Sequence, residues 1–122
     1  MDNTDIVQPI TVAVIPNLVE RFPNLALTPD TRPGYSGFIV PAENLIELVV
    51  NLRDVLKYDY LSSLTGVDYL PEEKLEVVYH LYRTLGGPAL VLKVQVPRDN
   101  PVVPSLYYVY KSAELQEREA WD

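Results

Sequence analysis

The chain has 122 residues, enough to bury one hydrophobic core and too few for two. Hydrophobic residues make up 48% and charged residues 22%, which is ordinary globular usage and excludes a disordered or collagen-like chain. Acidic residues outnumber basic ones by 17 to 10, so the net field repels nucleic-acid backbones and anionic lipid headgroups, and the surplus reads first as solubility. There is no cysteine, which removes disulfides, thiolate nucleophiles, iron-sulfur ligation and most structural zinc sites together.

No apolar run approaches the roughly 20 residues that span a bilayer, and the opening MDNTDIVQPI has neither a basic n-region nor an apolar h-region. Neither direct membrane insertion nor secretion is expected. Residues 1–10 read as a flexible tail, and residues 11–122 as a single domain.

Pro16 is placed to start a short helix, with Leu18, Val19 and Phe22 on one side and Pro23-Asn24 to end it. Leu25 to Thr28 and Tyr35 to Val40 are strand-like runs around Pro29-Asp30-Thr31-Arg32-Pro33-Gly34, a stretch dense in turn formers, and predict a hairpin. Pro41 supplies a first helical position, after which Leu45, Leu48, Val49, Leu52, Val55 and Leu56 recur at helical spacing. That apolar stripe needs cover, and a sheet face is the natural cover.

Beyond Tyr58-Asp59 the period changes to two. Tyr60 to Tyr69, Leu75 to Leu85 and Pro88 to Val96 predict a three-stranded meander, broken at Pro71-Glu72-Glu73 and at Gly86-Gly87, where a glycine pair provides positive φ. In the third run Leu90, Leu92, Val94 and Val96 alternate with Val91, Lys93 and Gln95, which predicts one apolar face and one largely wet face. Pro104-Ser105 then opens a last segment whose end, Ala113 to Asp122, is rich in helix formers. The expected fold is an α+β two-layer sandwich in the order α-β-β-α-β-β-β-α, with an antiparallel or mixed sheet and helices on one face.

Tyr58-Asp59-Tyr60-Leu61-Ser62-Ser63-Leu64-Thr65-Gly66-Val67-Asp68-Tyr69, Leu75-Glu76-Val77-Val78-Tyr79-His80-Leu81-Tyr82, Val103-Pro104-Ser105 and Glu117-Arg118-Glu119-Ala120-Trp121-Asp122 occur in this order. Together they resemble the N-terminal domain of the C subunit, the 30 kDa subunit family, of bacterial NADH:quinone oxidoreductase (respiratory complex I). The resemblance is strong from Tyr58 to Asp122, weaker from Thr11 to Lys57 and absent in the tail. Two departures stand out. Ala113-Glu114-Leu115 replaces the family's usual Ala-Asn-Trp, and the family's glycine-containing turn and His-Pro motif do not follow Asp122. Either the chain stops short of that segment or it is a shortened relative.

The resemblance implies a non-catalytic structural subunit without flavin or cluster, peripheral on the cytoplasmic side of the membrane. Its implied partners are the other peripheral-arm subunits of the complex, especially the quinone-proximal one. It supports electron transfer from NADH to quinone in a proton-translocating complex. Two alternatives are the equivalent subunit of a related membrane-bound hydrogenase or ferredoxin-dependent quinone reductase, and a freestanding enzyme on the same fold.

Among single residues, His80 is the only histidine, and a lone strand histidine is more often a packing residue than a ligand. Ser62 or Ser105 with His80 and Asp68 lacks any nucleophile-elbow context, so no catalytic residue is assigned. Tyr107, Tyr108 and Tyr110, with Tyr79 and Tyr82, fit either a core rim or a partner interface. Glu117, Arg118, Glu119 and Asp122 form the sharpest candidate cluster. On a helix they read as a solvated face, whereas the resemblance makes them, with Tyr107 and Tyr110, a partner interface.

Because no residue set here is suited to hold a flavin, haem or cluster, the purified chain is expected to be colourless. An absorbance spectrum with a stoichiometric chromophore would contradict this.

Overall fold

The structure, a computed structural model, describes residues 18–33, 36–69 and 72–121. The first ten residues and the expected helix start at Pro16 lie outside that range; residues 18–21 are helical, with Leu18 fully buried. A 3-10 turn, Pro23–Leu25, follows at the proline expected to end the helix.

Five strands make one sheet: β1 (Thr28–Pro29), β2 (Phe38–Ile39), β3 (Tyr60–Tyr69), β4 (Lys74–Tyr82) and β5 (Leu90–Pro97). Two helices, α1 (Leu45–Asp54) and α2 (Ala113–Trp121), complete the expected order. The spatial order is β1-β2-β5-β4-β3, with every neighbouring pair antiparallel except β2 and β5. The meander β3-β4-β5 is therefore as expected. The β1-β2 hairpin sits beyond β5, so the chain passes from β2 near one edge through α1 to β3 at the other. Parallel strands cannot be joined by a tight turn, and a helical crossover is the usual solution.

The expected elements are trimmed at their ends. The hairpin strands shrink to two residues each, because Leu25 belongs to the 3-10 turn and Ala26 adopts a left-handed backbone (φ 57°). Pro41 is extended (ψ 143°) rather than helical, and a 3-10 turn, Ala42–Asn44, leads into α1. The α1 stripe closes at Leu52: Leu45, Leu48, Val49 and Leu52 are fully buried, while Val55 lies past the helix end and is exposed. Leu85 likewise falls outside β4, in the turn where Gly86 and Gly87 take positive φ, and is exposed.

Cross-strand register defines the core face. Val77 opposes Val94, Tyr79 opposes Leu92 and Leu81 opposes Leu90, and all six are buried in one cluster with the α1 stripe. Phe38 opposes Leu92 from the other side and extends that face to β2. The approach of β2 is close. At Gly37 (φ +94°) an added Cβ would stand 2.4 Å from the Val91 carbonyl oxygen, so only glycine fits there without displacing β5.

The opposite sheet face departs from the sequence reading. Lys93 is expected on a wet face, yet its side chain is 6% exposed and pairs with Asp30, whose carboxylate is fully buried. Arg32 donates to both Asp30 carboxylate oxygens and bridges to Glu76, which is 1% exposed, and Gln95 donates to Glu76 at 2.8 Å. The β1-β2 connection thus folds over β4 and β5, and among the described residues it brings together two acidic and two basic side chains. Buried ions need such mutual partners, because removing one leaves the rest desolvated and unpaired. The hydrogen bond from Arg32 holds the Asp30 carboxyl well below the usual carboxylate range. It outweighs the opposing effect of burial, and Lys93 adds to it.

Two outcomes follow for stability. Leu92→Ala, at a fully buried position, should cost about 2–5 kcal/mol in denaturant unfolding, and a loss within about 0.5 kcal/mol would show the core face is misassigned. Asp30, with its carboxyl depressed in the folded state, contributes stability above its unfolded pKa of about 4 that is lost as pH falls below it. Asp30→Asn should cost about 3–5 kcal/mol at neutral pH and make the acid decline below about pH 4 shallower. Unfolding curves collected between neutral pH and pH 2 test both, and an unchanged acid slope would remove Asp30 from the account.

Candidate functional site

The residues singled out from sequence converge on α2 and the segment before it, and the structure divides them into inward-facing and outward-facing sets. Glu117 turns inward. Its carboxylate accepts from the Ser105 hydroxyl and from the Leu106 backbone N–H, both at 2.7 Å, so it fastens α2 to the chain that leads into it. Tyr110 is 4% exposed and its hydroxyl donates to the Tyr58 carbonyl, locking the same segment to the entrance of β3. Burial pushes the Tyr110 hydroxyl well above its ordinary pKa, so it remains a donor throughout the physiological range. Arg53 of α1 adds a hydrogen bond to the Val109 carbonyl at 3.3 Å.

The outward set is smaller. Arg118 is 63% exposed and makes a single-contact ion pair with Glu114, four residues back, at 3.3 Å. Exposed pairs of this kind add little to stability. Arg118, Glu114, Gln116, Ser112 and Lys111 line an open hollow of about 330 Å³. Tyr107 and Tyr108 form an edge-to-face pair, 5.2 Å between ring centroids, and Tyr108 is 92% exposed. Tyrosines are enriched at contact surfaces and at the rims of cores alike. The side chain of Glu119 and the whole of Asp122 lie outside the described residues.

α2 is also pinned to β3. Ser112 and Gln116 donate to the Leu61 carbonyl, and Gln116 also to that of Ser62, next to a bulge between Leu61 and Ser63. The departure Ala113-Glu114-Leu115 thus leaves a polar anchor to β3 in its neighbours, and Ala113 itself is fully buried.

The remaining candidates stay apart. His80 lies half-buried on the open sheet face, where its Nδ1 is 3.0 Å from the Ser63 hydroxyl. Ser62 donates to the His80 carbonyl, Ser105 is held by Glu117 and Asp68 pairs with Arg98 at 2.9 Å, so no serine-histidine-aspartate relay assembles. Among the described residues no group of three or more His, Cys, Asp or Glu could hold a metal. Among them, too, no helix is long and apolar enough to cross a membrane.

Sequence reasoning missed the Asp30, Arg32, Glu76, Lys93 and Gln95 cluster, whose members are scattered over more than half of the chain. One signal was available: Lys93 in the strongest strand pattern of the chain.

Residues 38–122 match the family described as respiratory-chain NADH dehydrogenase, 30 Kd subunit. The C subunit of NADH-quinone oxidoreductase from Moorella thermoacetica is 37% identical over 110 residues, which cover 88% of this chain and 72% of that protein. Three further curated relatives are matched over 57%, 37% and 61% of their own length, so the chain spans only part of most of them. The fold matches a trypsin-resistant fragment of Nqo5 with a TM-score of 0.74 at 24% identity, covering 88% of this chain and 89% of the fragment. It also matches a chain of a membrane-bound sulfane sulfur reductase, an archaeal respiratory membrane complex, with a TM-score of 0.71 at 25% identity, covering 87% and 62%. With an α+β sheet of the same architecture, a family match over most of its length and a relative aligned along nearly all of it, the chain belongs to the 30 kDa subunit family of respiratory-chain NADH dehydrogenase.

Proposed function

We propose that this chain is a non-catalytic structural subunit of the peripheral arm of a proton-translocating NADH:quinone oxidoreductase. It carries no cofactor of its own, sits peripherally on the cytoplasmic side of the membrane and contacts the quinone-proximal subunit. The observation that carries the reading is the family match across residues 38–122. The geometry agrees with it. Glu117 is engaged in internal fastening, and Arg118 is exposed and weakly paired, which leaves Arg118 available to a partner.

Within this reading Arg118, Glu114, Tyr107 and Tyr108 form the contact surface, while Glu117 and Tyr110 hold that surface in place from beneath. Glu119 and Asp122 belong to the same proposed interface through the sequence resemblance. A second reading, the equivalent subunit of a related membrane-bound complex with another electron donor or acceptor, draws on the likeness to the sulfane sulfur reductase chain. Purifying the tagged chain from membranes of its source organism separates the two. Co-purifying NADH-oxidising flavin subunits and NADH:quinone activity support the first. A nickel-ligating or sulfur-reducing catalytic subunit supports the second.

Arg118→Ala should leave the melting temperature of the isolated chain nearly unchanged, because an exposed i,i+4 pair is worth about 0.2–0.5 kcal/mol. The same substitution should lower the yield or quinone-reductase activity of the assembled complex, since a desolvated, paired guanidinium at an interface leaves an unmatched partner charge when removed. Thermal melting and complex yield are measured on the same variant. Unfolding of the isolated chain would make Arg118 a structural residue, and indifference in both assays would leave it on a solvated face.

A further inference from the structure

An open sheet edge presents unpaired backbone N–H and C=O groups, and proteins generally shorten, blunt or cover such edges. This sheet has two edges, and they are treated differently. The β1 edge is two residues long and contains Pro29, which has no N–H to offer. The β3 edge is ten residues long and, among the described residues, is bonded as a strand on one side only, to β4. Its first part is protected: a bulge interrupts it between Leu61 and Ser63, and Ser112, just before α2, and Gln116 of α2 donate to the Leu61 and Ser62 carbonyls.

The protection stops at Leu64. From Thr65 to Asp68 the strand has no bulge, proline or lysine, and Thr65, Gly66 and Asp68 are exposed. Among the described residues no group outside β4 makes a hydrogen bond to the backbone of this stretch. Gly66 carries no side chain to hold an incoming strand away. Among the described residues, then, the β1 edge is short and carries a proline, while the β3 edge is protected only in its first half.

We propose that the Thr65–Asp68 edge is completed in the assembled complex by an extended, neutral-to-basic strand of a neighbouring subunit, added by main-chain pairing to β3. This rests on the subunit reading given above. Charge selects the occupant. Asp68, the only charged side chain of this stretch, is already paired with Arg98, so the net charge of −7 decides: a second copy would bring like-charged bodies together. A neutral or basic strand meets no such repulsion.

Hydrogen exchange read by mass spectrometry on peptides covering residues 63–69 tests this, comparing the isolated chain with the complex purified through the same tagged chain. The outward amides of Leu64 to Asp68 should exchange at least tenfold more slowly in the complex, while those of β4, already paired on both sides, change little. A chain that co-purifies with its complex but exchanges at the isolated rate overturns the edge proposal alone. Protection already present in the isolated chain overturns it too. If that protection rises with concentration, a second copy covers the edge, and if it does not, the chain covers its own. Failure to co-purify with any respiratory complex overturns the subunit reading, and the occupant named here falls with it.

Discussion

The molecule depends on one helix finding cover. The apolar side of α1 presents Leu45, Leu48, Val49 and Leu52, all without solvent exposure, to a sheet face built from alternate residues of β4 and β5. A helix of ten residues gains little stability from its own hydrogen bonds, so this packing holds it. Because α1 links β2, next to one edge of the sheet, to β3 at the other edge, its burial also fixes the strand order and the parallel pairing of β2 with β5. Gly37 is the local consequence: β2 can lie against β5 only where no side chain intervenes.

The second face is held by other means. No described helix covers it, and the β1-β2 connection lays Asp30 and Arg32 across it to meet Lys93 and Glu76. Such a cluster is a weak source of net stability compared with an apolar core, yet it is demanding, since every member must be in place for any to be tolerated. It fixes where Asp30 and Arg32 of the connection lie, and it leaves the rest of that face, around Ser63 and His80, without ion pairs among the described residues.

Function, in the reading proposed here, lies in surfaces. The resemblance marks Glu117 and Tyr110 as interface residues, and the structure gives both an internal role. Glu117 secures the start of α2, and Tyr110 ties the preceding segment to Tyr58. Their work makes the exposed set coherent. Arg118, Glu114 and the Tyr107 and Tyr108 pair stand on a segment fastened by several hydrogen bonds, and such preorganisation lowers the entropic cost of forming an interface.

The sequence by itself determined the element order, the meander and the core faces of α1 and β5, because helical and strand periods are local properties visible over a few residues. It also carried the family, through Tyr58 to Tyr69 and Glu117 to Asp122. Tertiary structure alone decided the placement of the hairpin beside β5, which depends on where α1 crosses. It decided the burial of Lys93, because an alternating pattern cannot reveal that Asp30, 63 positions away, waits on the supposedly wet face. It also decided that Glu117 points in and Arg118 points out, since adjacent helical residues are distinguished only by what the rest of the chain packs against each of them.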